Sequence, residues 1–343
     1  MLKFLKSWDP FLLCLMAVVG LASLFPVRGL AALWTNRLAE LAIVLLFFIH
    51  GAKLSRAAIV QGIGNWRLHA LVLAATYVLF PALGLAIASG LRGLINPVLL
   101  SGVLFLTLLP STVQSSIAFT AIARGNVAAA VCSASLSNLL GIFLTPLLVT
   151  ILMHVGSRGG GLGAWDSVTS IALQLLAPFC AGHLLRPWIG GFVDRNKALL
   201  QPIDRGSILI VVFSAFSAAV IRGIWTQVGL LDLLAVLGVS GAILAVVMAA
   251  TVLASRQARL PREDGVVLLF CGSKKSLVSG VPMAGALFAP AQVGMIVLPL
   301  MIFHQLQLFV CAVIAGRLRR AEDRREALTE PGQMASATAV TPG

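Results

Sequence analysis

A chain of 343 residues that is 59% hydrophobic and only 11% charged lacks the polar surface needed to wet a soluble globule, in which about a quarter of residues are charged. A mean hydropathy of +0.99 sends the excess apolar surface to lipid. The net charge of +13 does not mark a nucleic-acid binder, because the basic residues lie in short gaps between apolar segments, as charge that fixes orientation across a bilayer.

In chain order, the opening MLKFLKSWDPFLLCLMAVVGLASLF joins a short basic start to an apolar run. It lacks a clear small-x-small cleavage site and reads as a first transmembrane helix rather than a signal peptide. A bilayer core about 30 Å thick takes about 20 apolar residues per helix. Ten segments qualify: 10–26, 33–52, 69–91, 96–122, 127–153, 168–188, 205–221, 231–254, 265–288 and 293–316. The gaps carry the turn formers and charges, and Cys14, Cys132, Cys180, Cys271 and Cys311 lie in or beside apolar segments without disulfide or zinc spacing.

The charge pattern fits this division. With the N-terminus inside, Lys3, Lys6, Lys53, Arg56, Arg67, Arg124, Arg186, Arg195, Lys197, Arg205, Arg256, Arg259, Arg262 and five tail arginines fall on the cytoplasmic side. Arg28, Arg37, Arg92, Arg158 and Arg222 fall on the other. Eighteen against five predicts both termini in the cytoplasm of a multi-pass inner-membrane protein. The tail, 321–343, reads as disordered from its Glu, Arg, Pro, Ser and Thr.

The glycine-rich stretch 156–164 divides the chain into five spans (1–155) and five spans (165–320). Matching signals recur in each half: Pro26 and Pro187 after the first span, Asn36-Arg37 and Asp204-Arg205 opening the second. The fourth spans match best. Pro110-Ser-Thr-Val-Gln-Ser-Ser116 begins 161 residues before Cys271-Gly-Ser-Lys-Lys-Ser276, which Ser279, Gly280 and Pro282 follow. An odd number of spans per half inverts the second half. Inverted repeats with interrupted helices in matching places point to a transporter binding site. Pro110, Gly272, Gly280 and Pro282 are the expected helix breakers. The bland alternative is a kinked helix with small packing residues.

Lys274 and Lys275 lie about ten residues into span nine, ~15 Å deep at 1.5 Å per residue. No Asp or Glu lies near the middle of any span, Glu40 being the nearest candidate. An intramembrane charge without a partner is a functional-site hypothesis, met by carbonyls, water or an anion; a purely structural role beside the open ends of the broken helix is the competing reading. His304, Gln305 and Gln307 add polarity to span ten, and His50 ends span two. No nucleophile–base pair, HExxH motif, phosphate loop or paired carboxylate set is present, so no enzyme and no organic cofactor is expected.

These segments resemble the bile acid:sodium symporter superfamily, and within it the divergent bacterial SBF-like branch. The residues that carry the resemblance are FFIHGAKLS (47–55), LLPSTVQSSIAFTAIARGN (108–126), SASLSNLLGIFLTP (133–146), FCGSKKSLVSGVPMA (270–284) and LPLMIFHQLQL (298–308). The resemblance implies an all-α, ten-helix fold with a panel domain (spans 1, 2, 6 and 7), a core domain (spans 3–5 and 8–10) and unwound, crossing spans four and nine. It implies sodium sites at the crossing, with Gln114, Ser115, Ser116, Ser133, Ser135, Ser137, Asn138 and Ser273 as ion-site candidates and Na+ at Ser115, Ser116 and Asn138. It implies an organic anion between the domains, near Lys274, Lys275, Ser276, Ser279, His304 and Gln305.

The chain departs from the family where the sodium symporters carry an acidic residue and a glutamine in span nine. It has serine and two lysines there. Two unit charges about 4 Å apart repel by about 4 kcal/mol at an effective dielectric near 20. The expected function is alternating-access transport of an amphipathic organic anion, with Na+ as coupling ion at a modified site or with a lysine standing in for it. An uncoupled facilitator or channel is the alternative. The expected partners are that small molecule and the lipid bilayer, with the protein a monomer or weak homodimer and no nucleic acid bound.

Overall fold

A computed structural model describes residues 10–53, 65–153 and 163–337. Among the described residues the regular structure is helical, with one isolated bridge between Arg92 and Ile95. The helices are α1 (Pro10–Leu24), α2 (Gly29–Lys53), α3 (Trp66–Gly90), α4 (Pro97–Thr107), α5 (Gln114–Ile122), α6 (Val127–Met153) and α7 (Gly163–Arg195). After them come α8 (Lys197–Ile221), α9 (Ile224–Gln227), α10 (Leu230–Gln257), α11 (Arg262–Gly272), α12 (Leu277–Leu287) and α13 (Pro290–Ala337). A π-helical turn, Ala75–Leu79, interrupts α3.

Seven of these units are long and apolar enough to cross a membrane: α2, α3, α6, α8 from Ala198, α10, α11 with α12, and α13 as far as Arg325. Two shorter apolar helices are Leu13–Leu24 in α1 and α4. Trp34, Trp66, Trp188 and Trp225 and many leucines stand exposed. Such a surface is insoluble in water and suits lipid, with tryptophan at the interfaces. The unit α11–α12 is the opposite case, with 94% of its best apolar window buried inside the protein.

Two helix interruptions are fixed by local chemistry. Asn96 caps α4 by accepting from Val98 N, 3.0 Å away, with Pro97 at the first helical position. The helix ends at Thr107, ahead of Pro110, whose ring cannot continue the hydrogen-bond ladder. It resumes at Gln114. Ser276 caps α12, its hydroxyl accepting from Ser279 N at 3.1 Å. The open segments are thus 108–113 and 273–276. They are shorter than the expected breaks. Gly280 and Pro282 are not breakers, for the Ser276 cap restarts the helix before them and both lie inside α12. Gly272 is the last residue of α11.

The tail also differs from expectation. Helix α13 continues to Ala337 through the segment read as disordered. Ala, Glu and Arg are good helix formers, and the first tail turns are anchored: Asp323 pairs with Arg124 at 2.7 Å and Glu322 with Arg262 at 3.0 Å. Glu40 pairs with its neighbour Arg37, exposed, and serves neither lysine of span nine. The expected boundary at 156–164 lies outside the described residues except for its last two positions.

Helices α2 and α7 cross backbone to backbone. A Cβ added at Gly51 would lie 2.0 Å from Phe179 O, and one added at Gly182 would lie 2.0 Å from Phe48 O. Each glycine sits three residues after the phenylalanine that faces the other glycine, so two Phe-x-x-Gly segments interlock. Small residues let apolar helices approach where lipid gives no hydrophobic drive to associate. Gly51→Ala and Gly182→Ala should each cost at least about 1–3 kcal/mol, because the clashing atom is backbone. Thermal unfolding of detergent-purified protein measures this, with Gly238→Ala, which meets nothing within 4 Å, as the neutral control.

Candidate functional site

The two open segments touch. Ser276 N donates to Pro110 O at 2.9 Å, Ser111 Oγ to Cys271 O at 2.6 Å and Ser116 Oγ to Phe270 O at 3.1 Å. Helix α6 lies against the crossing and satisfies its remaining groups. Ser111 N donates to Ser137 Oγ at 3.1 Å, Asn138 Nδ2 to Ser111 O at 2.7 Å, and Thr145 Oγ1 to Leu108 O at 2.8 Å. Ser279 Oγ donates to Asn138 Oδ1 at 2.8 Å, so one asparagine links the first open segment to the first turn of α12. Unpaired backbone groups away from water are expensive, and this network removes that cost.

Lys275 holds the centre. Its side chain is fully buried, and Nζ donates to three backbone carbonyls: Thr76 O at 2.9 Å, Thr107 O at 2.9 Å and Leu109 O at 2.7 Å. Thr107 and Leu109 lie where α4 ends, the partly negative pole of a helix. Thr76 belongs to the π turn, where the regular i→i+4 ladder opens. The Phe80 ring centroid stands 4.0 Å from Nζ and contributes a cation–π contact. The lysine's own backbone is clamped by Gln307, whose Oε1 accepts from Lys275 N at 2.8 Å while Nε2 donates to Lys275 O at 2.9 Å. All three donors of the ammonium are used, and no carboxylate among the described residues touches it.

Lys274 points elsewhere, as adjacent residues must. It is equally buried, donates to Ser115 Oγ at 3.2 Å and lies 4.5 Å from the Phe119 ring centroid. Six of the eight expected ion-site residues thus bond protein groups, while Gln114 and Ser135 face the cavity beside the crossing. Ser115 accepts an ammonium, Ser116 donates to a carbonyl, Ser133 Oγ meets His69 Nδ1 at 2.7 Å, and Ser273 donates to Leu269 O. An ammonium beside Ser115 opposes a cation placed there.

A cavity of about 1770 Å³ opens beside the crossing. Gln114, Ser115, Ser135, Asn138, Ser276, Ser279, His304 and Gln305 line it, whereas Lys274 and Lys275 do not. The structure therefore separates the expected substrate residues: two serines, a histidine and a glutamine face the cavity, and the two lysines are sealed behind them. Gln305 Nε2 is buried without a hydrogen-bond partner. Apolar walls come from α2, α6, α10 and α13, including Phe47, Ile142, Leu234 and Ile302. At one end sit His50, Lys53, Asp204 and Arg205, with Lys53 and Asp204 ion-paired. The Gln307 clamp, the Thr76 carbonyl and this charged end were not expected as site elements. Lys53 and Asp204-Arg205 at span ends were the available signal, but Lys53 and Arg205 read as orientation charge and Asp204-Arg205 as a mark of the internal repeat.

The chain matches the model of the SBF-like CPA transporter family over residues 9–320. It is 52% identical to "Putative symporter YfeH" of Escherichia coli K12 over 329 residues, covering 96% of this chain and 98% of that one. It is 54% identical to an uncharacterised Pseudomonas aeruginosa protein over 323 residues, 94% and 96% of the two chains. "Sodium/bile acid cotransporter 7" of Danio rerio is 26% identical over 339 residues, 95% and 97% of the two. With its apolar helices, buried crossing and open cavity, the chain belongs to the SBF-like CPA transporter family and is a multi-span membrane transporter, not an enzyme.

Proposed function

We propose that the protein moves an amphipathic organic anion by alternating access, and that the Lys275 ammonium is a tethered cation occupying the place of a coupling sodium ion. The observation that carries this is the cage of three backbone carbonyls around Nζ. Carbonyl oxygens converging at a helix end suit a monovalent cation, and here a covalently held one fills the position. The bile-acid cotransporter name of the distant relatives supports an acid with a large apolar body, and the mostly apolar cavity supports the same chemistry.

The proposed topology has ten spans. The seven long apolar units are joined by α1, by α7 and by the broken pair α4–α5. On this reading α1, α2, α7 and α8 form the panel and the remaining spans the core, with the cavity between them. The two five-span halves are inverted, and the protein sits in the inner membrane with both ends in the cytoplasm. Gly160 and Gly343 should then report opposite sides when fused to a topology reporter, Gly160 outside. The same side for both would remove the inverted repeat.

The tethered cation has a sodium signature. Uptake of a steroid carboxylate such as cholate into proteoliposomes should change less than about twofold when Na+ is replaced by K+, the charge being supplied by the protein. Lys275→Ala should lose transport and at least about 2 kcal/mol of stability, since buried carbonyls lose their donors. Part of that loss should return with added Na+ or methylammonium, which leave the wild type unmoved. Lys274→Met, deprived of one hydroxyl contact, should be milder. Steep sodium dependence in the wild type with no cation rescue of Lys275→Ala defeats the proposal.

A further inference from the structure

Arg205 stands apart from the other basic residues. It belongs to α8, about two turns beyond the start of that helix at Lys197. Its side chain lines the cavity. Among the described residues its one recorded contact is with an aromatic ring: the guanidinium carbon lies 5.5 Å from the Phe11 ring centroid. The adjacent acid, Asp204, pairs through Oδ2 with Lys53 across the α2–α8 contact, while its Oδ1 is buried without a hydrogen-bond partner.

Among the described residues the ionised groups on the cavity wall are Lys53, Asp204 and Arg205, two cations and one anion. The pair cancels and one positive charge remains. A guanidinium held beside a ring rather than by an acceptor keeps its N–H donors for a carboxylate or sulfonate, which it can bind in a bidentate manner. At the other end the cavity presents uncharged hydrogen-bonding groups such as Asn138, Ser279 and Gln305, with apolar walls between.

We infer that Arg205 is the residue that recognises the anionic head of the transported acid, that the ligand carries a single negative charge, and that its apolar body points toward the neutral polar floor at the helix crossing. The inference rests on the transporter reading above and adds a specificity residue on α8, opposite the broken helices. The Phe11 ring is a positioning group, holding the guanidinium plane.

The test is equilibrium binding of cholate and of its uncharged methyl ester to full-length protein in nanodiscs of zwitterionic phosphatidylcholine. The wild type should prefer cholate by about tenfold or more, the scale of a charge-assisted bidentate contact. Arg205→Gln should bind both ligands alike, and Arg205→Lys should keep part of the preference. Lys53→Met should also lose the preference, because the freed Asp204 competes for Arg205, whereas Lys53→Met with Asp204→Leu should restore it. That restoration is a readout that a folding defect would not give. Discs containing phosphatidylglycerol separate a free acid from a lipid head group: unchanged cholate affinity supports the inference, and loss of cholate binding gives the site to lipid and overturns it. Full cholate preference in Arg205→Gln overturns the Arg205 assignment alone. Absence of saturable binding of either ligand to the wild type overturns the anion-transport reading with it.

Discussion

One buried ammonium organises the centre of this protein. Lys275 Nζ ties together Thr76 in the π turn of α3 and Thr107 and Leu109 where α4 ends. An ammonium is tolerated in such a place only when every donor meets an acceptor, and open backbone only when every carbonyl meets a donor. Each need satisfies the other. The Gln307 clamp from α13 then fixes the lysine backbone. Three separate stretches of chain, from α3, the end of α4 and α13, are in this way held to one residue.

The same arrangement accounts for the placement of the cavity. Because α4 and α11 stop and α5 and α12 restart at the crossing, hydroxyl, amide and imidazole groups can gather in a protein whose outer surface is almost wholly apolar. The lysines lie behind this polar floor and do not open onto the cavity. Charge available to a ligand comes instead from the far wall, on α2 and α8. A site with neutral donors and acceptors at one pole and a cation at the other discriminates by orientation, because an amphipathic acid reversed end for end leaves its carboxylate without a counter-charge.

The helix packing serves the same division of labour. Interlocked Phe48–Gly51 and Phe179–Gly182 bring α2 and α7 to backbone contact, a close pairing that suits the proposed panel, against which the core would move. The crossing segments are joined to α6 by side-chain hydrogen bonds from Ser137, Asn138 and Thr145. Each unit thus has its own internal fastening, one of small residues and one of polar groups.

The sequence by itself determined that the chain is a helical membrane protein, that two of its helices are interrupted near Pro110 and near Gly272, and that Lys274 and Lys275 are out of place in an apolar span. These are local properties: hydropathy sums over a window, proline lacks a donor wherever it sits, and a charge is costly in any hydrocarbon surroundings. The restart of α12 was not legible: Gly280 and Pro282 read as breakers, whereas in the fold Ser276 accepts from Ser279 N and starts the helix ahead of both. The tertiary structure alone decided what the lysines do. Residues 199 and 168 positions away from Lys275 supply its carbonyls, and no pattern in span nine announces them, because a backbone acceptor carries no side-chain signature. Nor could spacing show that Asp204 is spent on Lys53, 151 residues distant, leaving Arg205 beside it without a carboxylate among the described residues. Residue types are fixed by the chain, but whether a charge is already answered depends on which neighbours folding brings within about 3 Å.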